Sequence, residues 1–158
     1  MEKSIRTDKI VWTDGVSPPC PNLKNLLSIL DSIITKANKA PHNGVLRIYN
    51  ISSRTKAMVS CYPGEGTHYV KHVDNPNKDG RCITVIYYLN RNWVPEVMLY
   101  LYVSVYTLYF QKDGGCLKIY STCVEGVVAQ VNPVFDRIIY FWSDSRNPHE
   151  VFPAFSER

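Results

Sequence analysis

The sequence lacks the features that mark a disulfide scaffold, a nucleic-acid-binding protein or a membrane protein. Its five cysteines are odd in number and none has C-x-x-C spacing, which argues against a disulfide framework or a structural zinc site. The net charge of +4 is spread without a block of like charge, so we expect no nucleic-acid partner. No apolar leader opens the chain, and no hydrophobic run reaches the roughly 20 residues of a membrane span. These absences predict reduced thiols, a cytoplasmic or nuclear location and no membrane partner.

Hydrophobic periodicity predicts one helix followed by many short strands. Apolar residues at three- and four-residue spacing predict an amphipathic helix over about Asn22–Lys39, with Asn22 as its N-cap and one buried stripe. Runs of β-type residues between Gly-, Pro- and Asn-rich turns predict strands at Lys9–Trp12, Val45–Tyr49, Ala57–Tyr62, Tyr69–Val73, Cys82–Leu89, Cys116–Tyr120, Val127–Val131, Arg137–Trp142 and Glu150–Phe152. Without a repeat or linker, residues 1–158 are predicted to form a single domain, mainly β with a flanking helix, as a sandwich or jelly roll.

Two histidines and one carboxylate form a candidate metal site. In an extended strand, residues two apart point to the same face, so His72 and Asp74 are predicted to converge on one point. His149 begins another predicted strand far downstream, after an Asn-Pro pair. Two imidazoles and one carboxylate are the facial triad of non-haem Fe(II) oxygenases. On these residues alone the pattern is weak, because a surface histidine beside an aspartate also explains it.

Arg158 adds a candidate anion-binding group nine residues after His149. A guanidinium is a permanent cation whose donors match a carboxylate, so beside the triad it predicts a site for the distal carboxylate of 2-oxoglutarate. Without the triad, Arg158 would be interpreted as an exposed residue at the end of the chain. His68, four residues before His72, is interpreted as a structural or exposed residue in a turn rather than as a further ligand.

Three stretches of the sequence carry a resemblance to a known family. They are Arg6–Trp12 (RTDKIVW), Arg54–Trp93, which contains CYPG-x-GT-x-YV-x-HVDNP, and Phe135–Phe155, which contains FWSD-x-RNPHEV. With these motifs and Arg158, the chain resembles the catalytic domain of the hypoxia-inducible-factor prolyl hydroxylases, the Egl-nine family. The resemblance implies a double-stranded β-helix of the cupin-like, jelly-roll type.

The resemblance also implies an activity and the residues that carry it. The activity is a dioxygenase dependent on Fe(II), 2-oxoglutarate and L-ascorbate, which hydroxylates C4 of a proline and serves oxygen sensing. The implied partner is a proline-containing peptide of a hypoxia-inducible transcription factor alpha subunit, bound by a monomeric enzyme. The implied roles are catalytic metal ligands for His72, Asp74 and His149, 2-oxoglutarate binding for Arg158, Tyr88 and Tyr62, and peptide binding near the entrance for Arg81.

Departures from the family leave alternatives open. The run Val97–Gln111 has no charge, Gly or Pro and is predicted to be a 15-residue insertion, because its removal restores the family spacing. Its terminal Val and Gln are compatible with the codons of a short retained intron. The chain is expected to be truncated at both ends, with an incomplete C-terminal strand and Arg158 poorly held on a frayed end. The alternatives are an inactive or partial isoform that acts at most as an interaction module, and a cupin-like zinc or manganese protein.

Overall fold

The structure, a computed structural model, describes residues 5–94, 97–99, 108–110 and 113–158. In this part of the chain the elements are short strands with one α-helix and one 3-10 helix. In chain order they are β1 (Lys9–Thr13), α1 (Pro21–Lys39), the 3-10 helix (Gly44–Ile48), β2 (Ala57–Cys61), β3 (Thr67–His72), β4 (Ile83–Tyr87), β5 (Val97–Leu99), β6 (Leu108–Phe110), β7 (Leu117–Tyr120), β8 (Val127–Val131), β9 (Ile138–Trp142) and β10 (His149–Ala154).

The chain falls into two compact units. One contains the residues up to Lys9 together with Ser60–Arg158, and the other contains Ile10–Val59. The single domain over residues 1–158 stays a prediction. Within the described ranges, no helix combines the length and the apolar character needed to cross a membrane.

The first unit is built from a four-stranded antiparallel sheet and a two-stranded ribbon. The sheet has the order β3-β10-β7-β8, and the ribbon pairs β4 with β9 in unbroken register from Ile83–Trp142 to Tyr87–Ile138. Alternation in β7 buries Leu117 and Ile119, which pack with Phe141 of β9. The core therefore lies between sheet and ribbon, and each fully buried large apolar side chain stabilises it by roughly 1.5–3 kcal/mol.

In the second unit, α1 confirms the predicted helix, but its cap differs from the prediction. The helix begins at Pro21 with Cys20 at the N-cap position and without a side-chain capping hydrogen bond, so Asn22 lies inside the first turn. Proline suits this position because the first helical N–H groups have no intrahelical acceptor. Leu27 of the apolar stripe is buried, whereas Ile33 is exposed.

The predicted strand Val45–Tyr49 is wrong, because Gly44–Ile48 is a 3-10 helix. The side chain of Asn38 in α1 donates hydrogen bonds to the carbonyls of Leu46 and Tyr49, at 3.0 and 2.9 Å. These bonds satisfy backbone groups that a strand would have to pair with a neighbour. The remaining predicted strands are confirmed, and none of their ends is shifted by more than two residues.

The run Val97–Gln111 is described only in its strand backbones, where β5 and β6 pair antiparallel with Val97 opposite Phe110. The prediction of an insertion rests mainly on residues outside the described ranges. On either side of the run, Val94 N donates to the buried carboxylate of Asp113 at 2.5 Å, and Trp93 Nε1 donates to Gly114 O at 3.0 Å. The two flanks of the run are therefore joined directly.

Candidate metal centre and arginine site

The side chains of His72, Asp74 and His149 meet at the end of the four-stranded sheet. His72 is the last residue of β3 and His149 the first of β10, and the two are paired directly opposite each other. The Nε2 atoms of His72 and His149 lie 3.5 and 3.6 Å from the two carboxylate oxygens of Asp74. One candidate ligand atom from each residue lies within 4.8 Å of the other two. Two ligand atoms about 2.1 Å from one ion lie no more than about 4.2 Å apart, a limit that the 3.5 and 3.6 Å separations satisfy.

Asp74 reaches this point by a different route from the one predicted. β3 ends at His72, so Asp74 lies in the bend beyond the strand and the two-residue alternation does not place it. The next residue, Asn75, is buried; its backbone N donates to Ser143 O and its side-chain amide donates to Arg81 O, both at 2.8 Å. The bend is thus fixed by long-range hydrogen bonds rather than by a strand ladder.

Backbone carbonyls set the orientation of both imidazoles. Nδ1 of His72 lies 2.7 Å from Val70 O, and Nδ1 of His149 lies 3.1 Å from Asn147 O. Because a carbonyl only accepts, each Nδ1 carries the proton, and Nε2 is the nitrogen directed at Asp74. This is the orientation that a metal-binding histidine requires.

Electrostatics favour an ionised carboxylate and a neutral buried imidazole. Burial raises the pKa of Asp74, but the neighbouring imidazoles and the hydrogen bond from Thr84 outweigh burial, so the pKa lies below its ordinary value. Burial lowers the pKa of His149. The donor set fits Fe(II), for which two imidazoles and one carboxylate are the facial triad.

An aromatic ring and an ion pair support His72, and neither was predicted from the sequence. The ring of Tyr69 stacks on His72 with 3.6 Å between centroids, and the guanidinium of Arg6 lies 4.6 Å from the Tyr69 centroid. Arg6 makes a two-bond ion pair with Asp8 at 2.7 and 2.5 Å. Arg6 and Asp8 were visible in the RTDKIVW motif, but nothing local in the sequence connects that motif to His72.

Arg158 is held firmly by the residues around it. Its backbone N donates to Tyr62 O at 2.8 Å, and Tyr62 N donates to Arg158 O at 2.7 Å. The guanidinium lies 4.5 Å from the Tyr62 ring centroid. The expectation that Arg158 is poorly held is therefore wrong, because a reciprocal backbone pair fixes it.

Arg158 is half-buried, and the Nε atom of its guanidinium is a buried, unsatisfied donor. Its Nε has no hydrogen-bond partner within the described ranges. Burial lowers the pKa of Arg158, and the same burial raises the pKa of Tyr88 to about 12 and raises that of Tyr62. A buried cation with a donor directed at no protein group fits a carboxylate ligand. Gly115 makes room for it, since a Cβ at Gly115 would lie 2.4 Å from Arg158 Nε.

Two other residues considered from the sequence lie outside the cluster of ligands. Arg81 is exposed and pairs with Asp79, with Nη2 and Oδ2 2.7 Å apart. His68 lies inside β3 rather than in the predicted turn, with Nδ1 3.0 Å from Gly66 O. His68 is not part of the cluster formed by His72, Asp74 and His149.

Both the sequence and the fold of this chain resemble those of known proteins. The family model of the 2OG-Fe(II) oxygenase superfamily matches residues 57–158. The chain is 48% identical to Egl nine homolog 1 from Homo sapiens over 99% of this chain and 32% of that protein, and 43% identical to prolyl hydroxylase EGLN3 from Mus musculus over 99% and 57%. The chain thus spans about a third of the length of the first of these curated relatives.

A solved structure gives the same result. It is the prolyl hydroxylase from Trichoplax adhaerens in complex with a hypoxia inducible factor oxygen degradation domain peptide fragment, with a TM-score of 0.78 and 45% identity over 98% of this chain and 60% of that one. The resemblance to the Egl-nine prolyl hydroxylases and the predicted jelly-roll fold are confirmed. The chain belongs to the 2OG-Fe(II) oxygenase superfamily.

Proposed function

We propose that this chain carries the catalytic site of a 2-oxoglutarate-dependent peptidyl-proline 4-dioxygenase that hydroxylates C4 of a proline and takes part in oxygen sensing. The observation that carries the proposal is the convergence of His72, Asp74 and His149 in a chain that also buries Arg158 with an unsatisfied Nε. The peptide complex of the Trichoplax relative supports a hypoxia-inducible-factor-like peptide as the substrate.

Each site residue has a distinct task in this proposal. His72, Asp74 and His149 hold Fe(II), and Arg158 pairs with the distal carboxylate of 2-oxoglutarate, to which the Tyr88 hydroxyl donates. Tyr62 covers the guanidinium and lies beside the cosubstrate. When bound, iron and 2-oxoglutarate supply the oxidising chemistry, with L-ascorbate as the reductant, while the protein supplies orientation and exclusion of water.

The partners follow the same reasoning. Arg81, exposed and paired with Asp79, is proposed to bind the substrate peptide at the entrance by exchanging that carboxylate for peptide groups. The net charge is spread along the sequence, which supports a peptide rather than nucleic acid as the partner. We propose a monomer in the cytoplasm or nucleus, in keeping with the reduced cysteines.

The test measures formation of succinate and hydroxyproline by the purified chain with Fe(II), 2-oxoglutarate, ascorbate and a hypoxia-inducible-factor peptide. Removing a metal ligand by His72→Ala is expected to lower turnover by more than about 100-fold, because loss of an outer-shell partner alone costs 10–100-fold. His68→Ala is the matched control, since His68 lies on the same strand and outside the cluster. It is expected to leave turnover unchanged.

Two results would contradict the proposal. A folded chain that binds no divalent metal and forms no succinate would support the alternative interpretation, an inactive isoform that acts at most as an interaction module. A chain that binds metal and stays active in the His72→Ala variant has its catalytic centre elsewhere.

A further inference from the structure

The ribbon of β4 and β9 presents one face to two of the candidate metal ligands, Asp74 and His149. Thr84 of β4 is paired with Phe141 of β9, and residues directly opposite in an antiparallel pair share a face. Ser143 follows Phe141 by two residues and continues this face, with its N bonded to Cys82 O at 3.0 Å. Phe141 makes an edge contact with His149, 4.7 Å between centroids. The ribbon therefore contacts the site through both an aromatic ring and hydroxyl groups.

The hydroxyl groups form a chain that ends on the carboxylate of Asp74. Thr84 Oγ1 donates to Asp74 Oδ2 at 2.5 Å, and the Oγ atoms of Thr84 and Ser143 lie 2.8 Å apart. An ionised carboxylate only accepts, so the single Thr84 proton points to Asp74 and Thr84 in turn accepts from Ser143. Ser143 is 2% exposed, which shields this chain from competing water.

Asp74 needs such support more than the two histidines do. His72 and His149 are fixed by the β3–β10 ladder and by carbonyl acceptors on Nδ1. Asp74 lies in a bend beyond β3, and its carboxylate is oriented by Thr84 from another strand. A misdirected ligand weakens metal binding, and outer-shell partners typically contribute 10–100-fold to metal affinity.

We infer that Thr84 and Ser143 are positioning residues, which hold the carboxylate of Asp74 in its ligating orientation through a directed Ser143–Thr84–Asp74 hydrogen-bond chain. The inference rests on the proposed function in one respect: it takes the cluster of His72, Asp74 and His149 as the metal site. Thr84 and Ser143 act through Asp74 and need no contact with the metal or with the reacting atoms.

The test titrates Co(II) into the purified chain and follows its visible absorption, which reports binding without turnover. Thr84→Val keeps the shape and removes the hydroxyl, and is expected to weaken Co(II) binding by about 10–100-fold. Thr84→Ser keeps the hydroxyl and is expected to stay within about threefold of the wild type. Ser143→Ala removes only the second member of the chain and is expected to weaken binding by a smaller factor, about 3–10-fold.

Thr67 of the same protein provides a matched control. Its Oγ1 is buried without a hydrogen-bond partner within the described ranges, and it lies in β3, the strand that carries His72. Thr67→Val therefore makes the same change to a buried threonine without touching the Ser143–Thr84–Asp74 chain. It is expected to leave Co(II) affinity unchanged.

The possible outcomes separate the inference from the proposed function. If the wild type does not bind Co(II), the metal site itself is wrong. If the wild type binds and Thr84→Val binds equally well, the hydroxyl chain is merely structural and the inference is overturned. If Thr84→Val does not fold, Ser143→Ala and Thr84→Ser decide: unchanged affinity in Ser143→Ala overturns the chain, and a 3–10-fold loss there beside normal affinity in Thr84→Ser supports it.

Discussion

The two halves of the candidate site are prepared in different ways. At the metal cluster, hydrogen bonds already orient each side chain: the imidazole Nδ1 atoms bond to carbonyls, and Asp74 accepts from Thr84. At the arginine site, the backbone of Arg158 is fixed by Tyr62, but its buried Nε has no hydrogen-bond partner within the described ranges. The first half is therefore oriented before any ligand binds, whereas the second holds a charge whose burial is costly until an anion compensates it.

Removing the charge from the arginine site should separate the two halves most clearly. Arg158→Gln is expected to raise KM for 2-oxoglutarate by about 100-fold, because loss of one partner of a buried charge pair costs 2–5 kcal/mol. Co(II) affinity should stay within about threefold of the wild type, since Arg158 is no part of the metal cluster. Kinetics at varied 2-oxoglutarate and the Co(II) titration measure the two effects.

Arg146→Gln is the control for Arg158→Gln, because Arg146 pairs with Asp144 in the turn after β9. The KM of the Arg146→Gln variant for 2-oxoglutarate should not change. Equal losses of cosubstrate and Co(II) affinity in Arg158→Gln would mean that the two halves form a single coupled unit, contrary to the comparison.

Filling the space beside Arg158 should have a smaller effect on the same half. Gly115→Ala places a Cβ 2.4 Å from Arg158 Nε, so we expect the guanidinium to move and KM for 2-oxoglutarate to rise by about 10-fold. Gly115 has a φ of 75°, at which alanine is strained. Gly115→Ala should therefore also lower the free energy of unfolding by roughly 1–3 kcal/mol.

Gly126→Ala distinguishes the steric effect from the backbone effect. Gly126 has φ 99°, but a Cβ there would meet nothing within 4 Å. Denaturant unfolding should show a comparable loss of stability, while KM stays unchanged. A rise in KM for both variants would indicate that general destabilisation, and not the displacement of Arg158, controls cosubstrate binding.

The smallest expected effect concerns acid stability on the metal side. Burial raises the pKa of Asp8, but the hydrogen bonds and charge of Arg6 outweigh it and lower the pKa below its ordinary value. A carboxyl with a lowered folded-state pKa stabilises the fold above its unfolded pKa, about 3.9, and loses that contribution as pH falls through the folded value. Asp8→Asn should therefore flatten the decline in stability from about pH 5 downward.

Unfolding by urea at a series of pH values measures this effect. Asp79→Asn is the control, because Asp79 makes an ion pair of the same sequence spacing with Arg81, but on the exposed surface. Exposed pairs contribute little, so that variant should keep nearly the whole acid dependence. An equal flattening in both variants would show that burial of the Arg6–Asp8 pair is of no consequence.

The sequence predicted most of the strands and the convergence of His72, Asp74 and His149, but it failed where distant residues decide the local structure. Val45–Tyr49 has the composition of a strand, yet the side chain of Asn38 satisfies its carbonyls and a 3-10 helix results. Asp74 was expected on a strand with His72, and it instead lies in a bend fixed through Asn75 and Ser143. In each case a hydrogen bond from outside the segment overrides the local preference.

By itself, the sequence determined which residues are candidates for the site. The histidines, the aspartate, the arginine and the tyrosines occur in long motifs, and the resemblance carried by these motifs implies a divalent metal and an anion as ligands. Only the tertiary structure decided how these groups are oriented: Thr84 and Ser143 behind Asp74, Tyr69 against His72, and Gly115 beside Arg158. The physical reason is that each support comes from a separate strand or turn, and its direction exists only once the chain has folded.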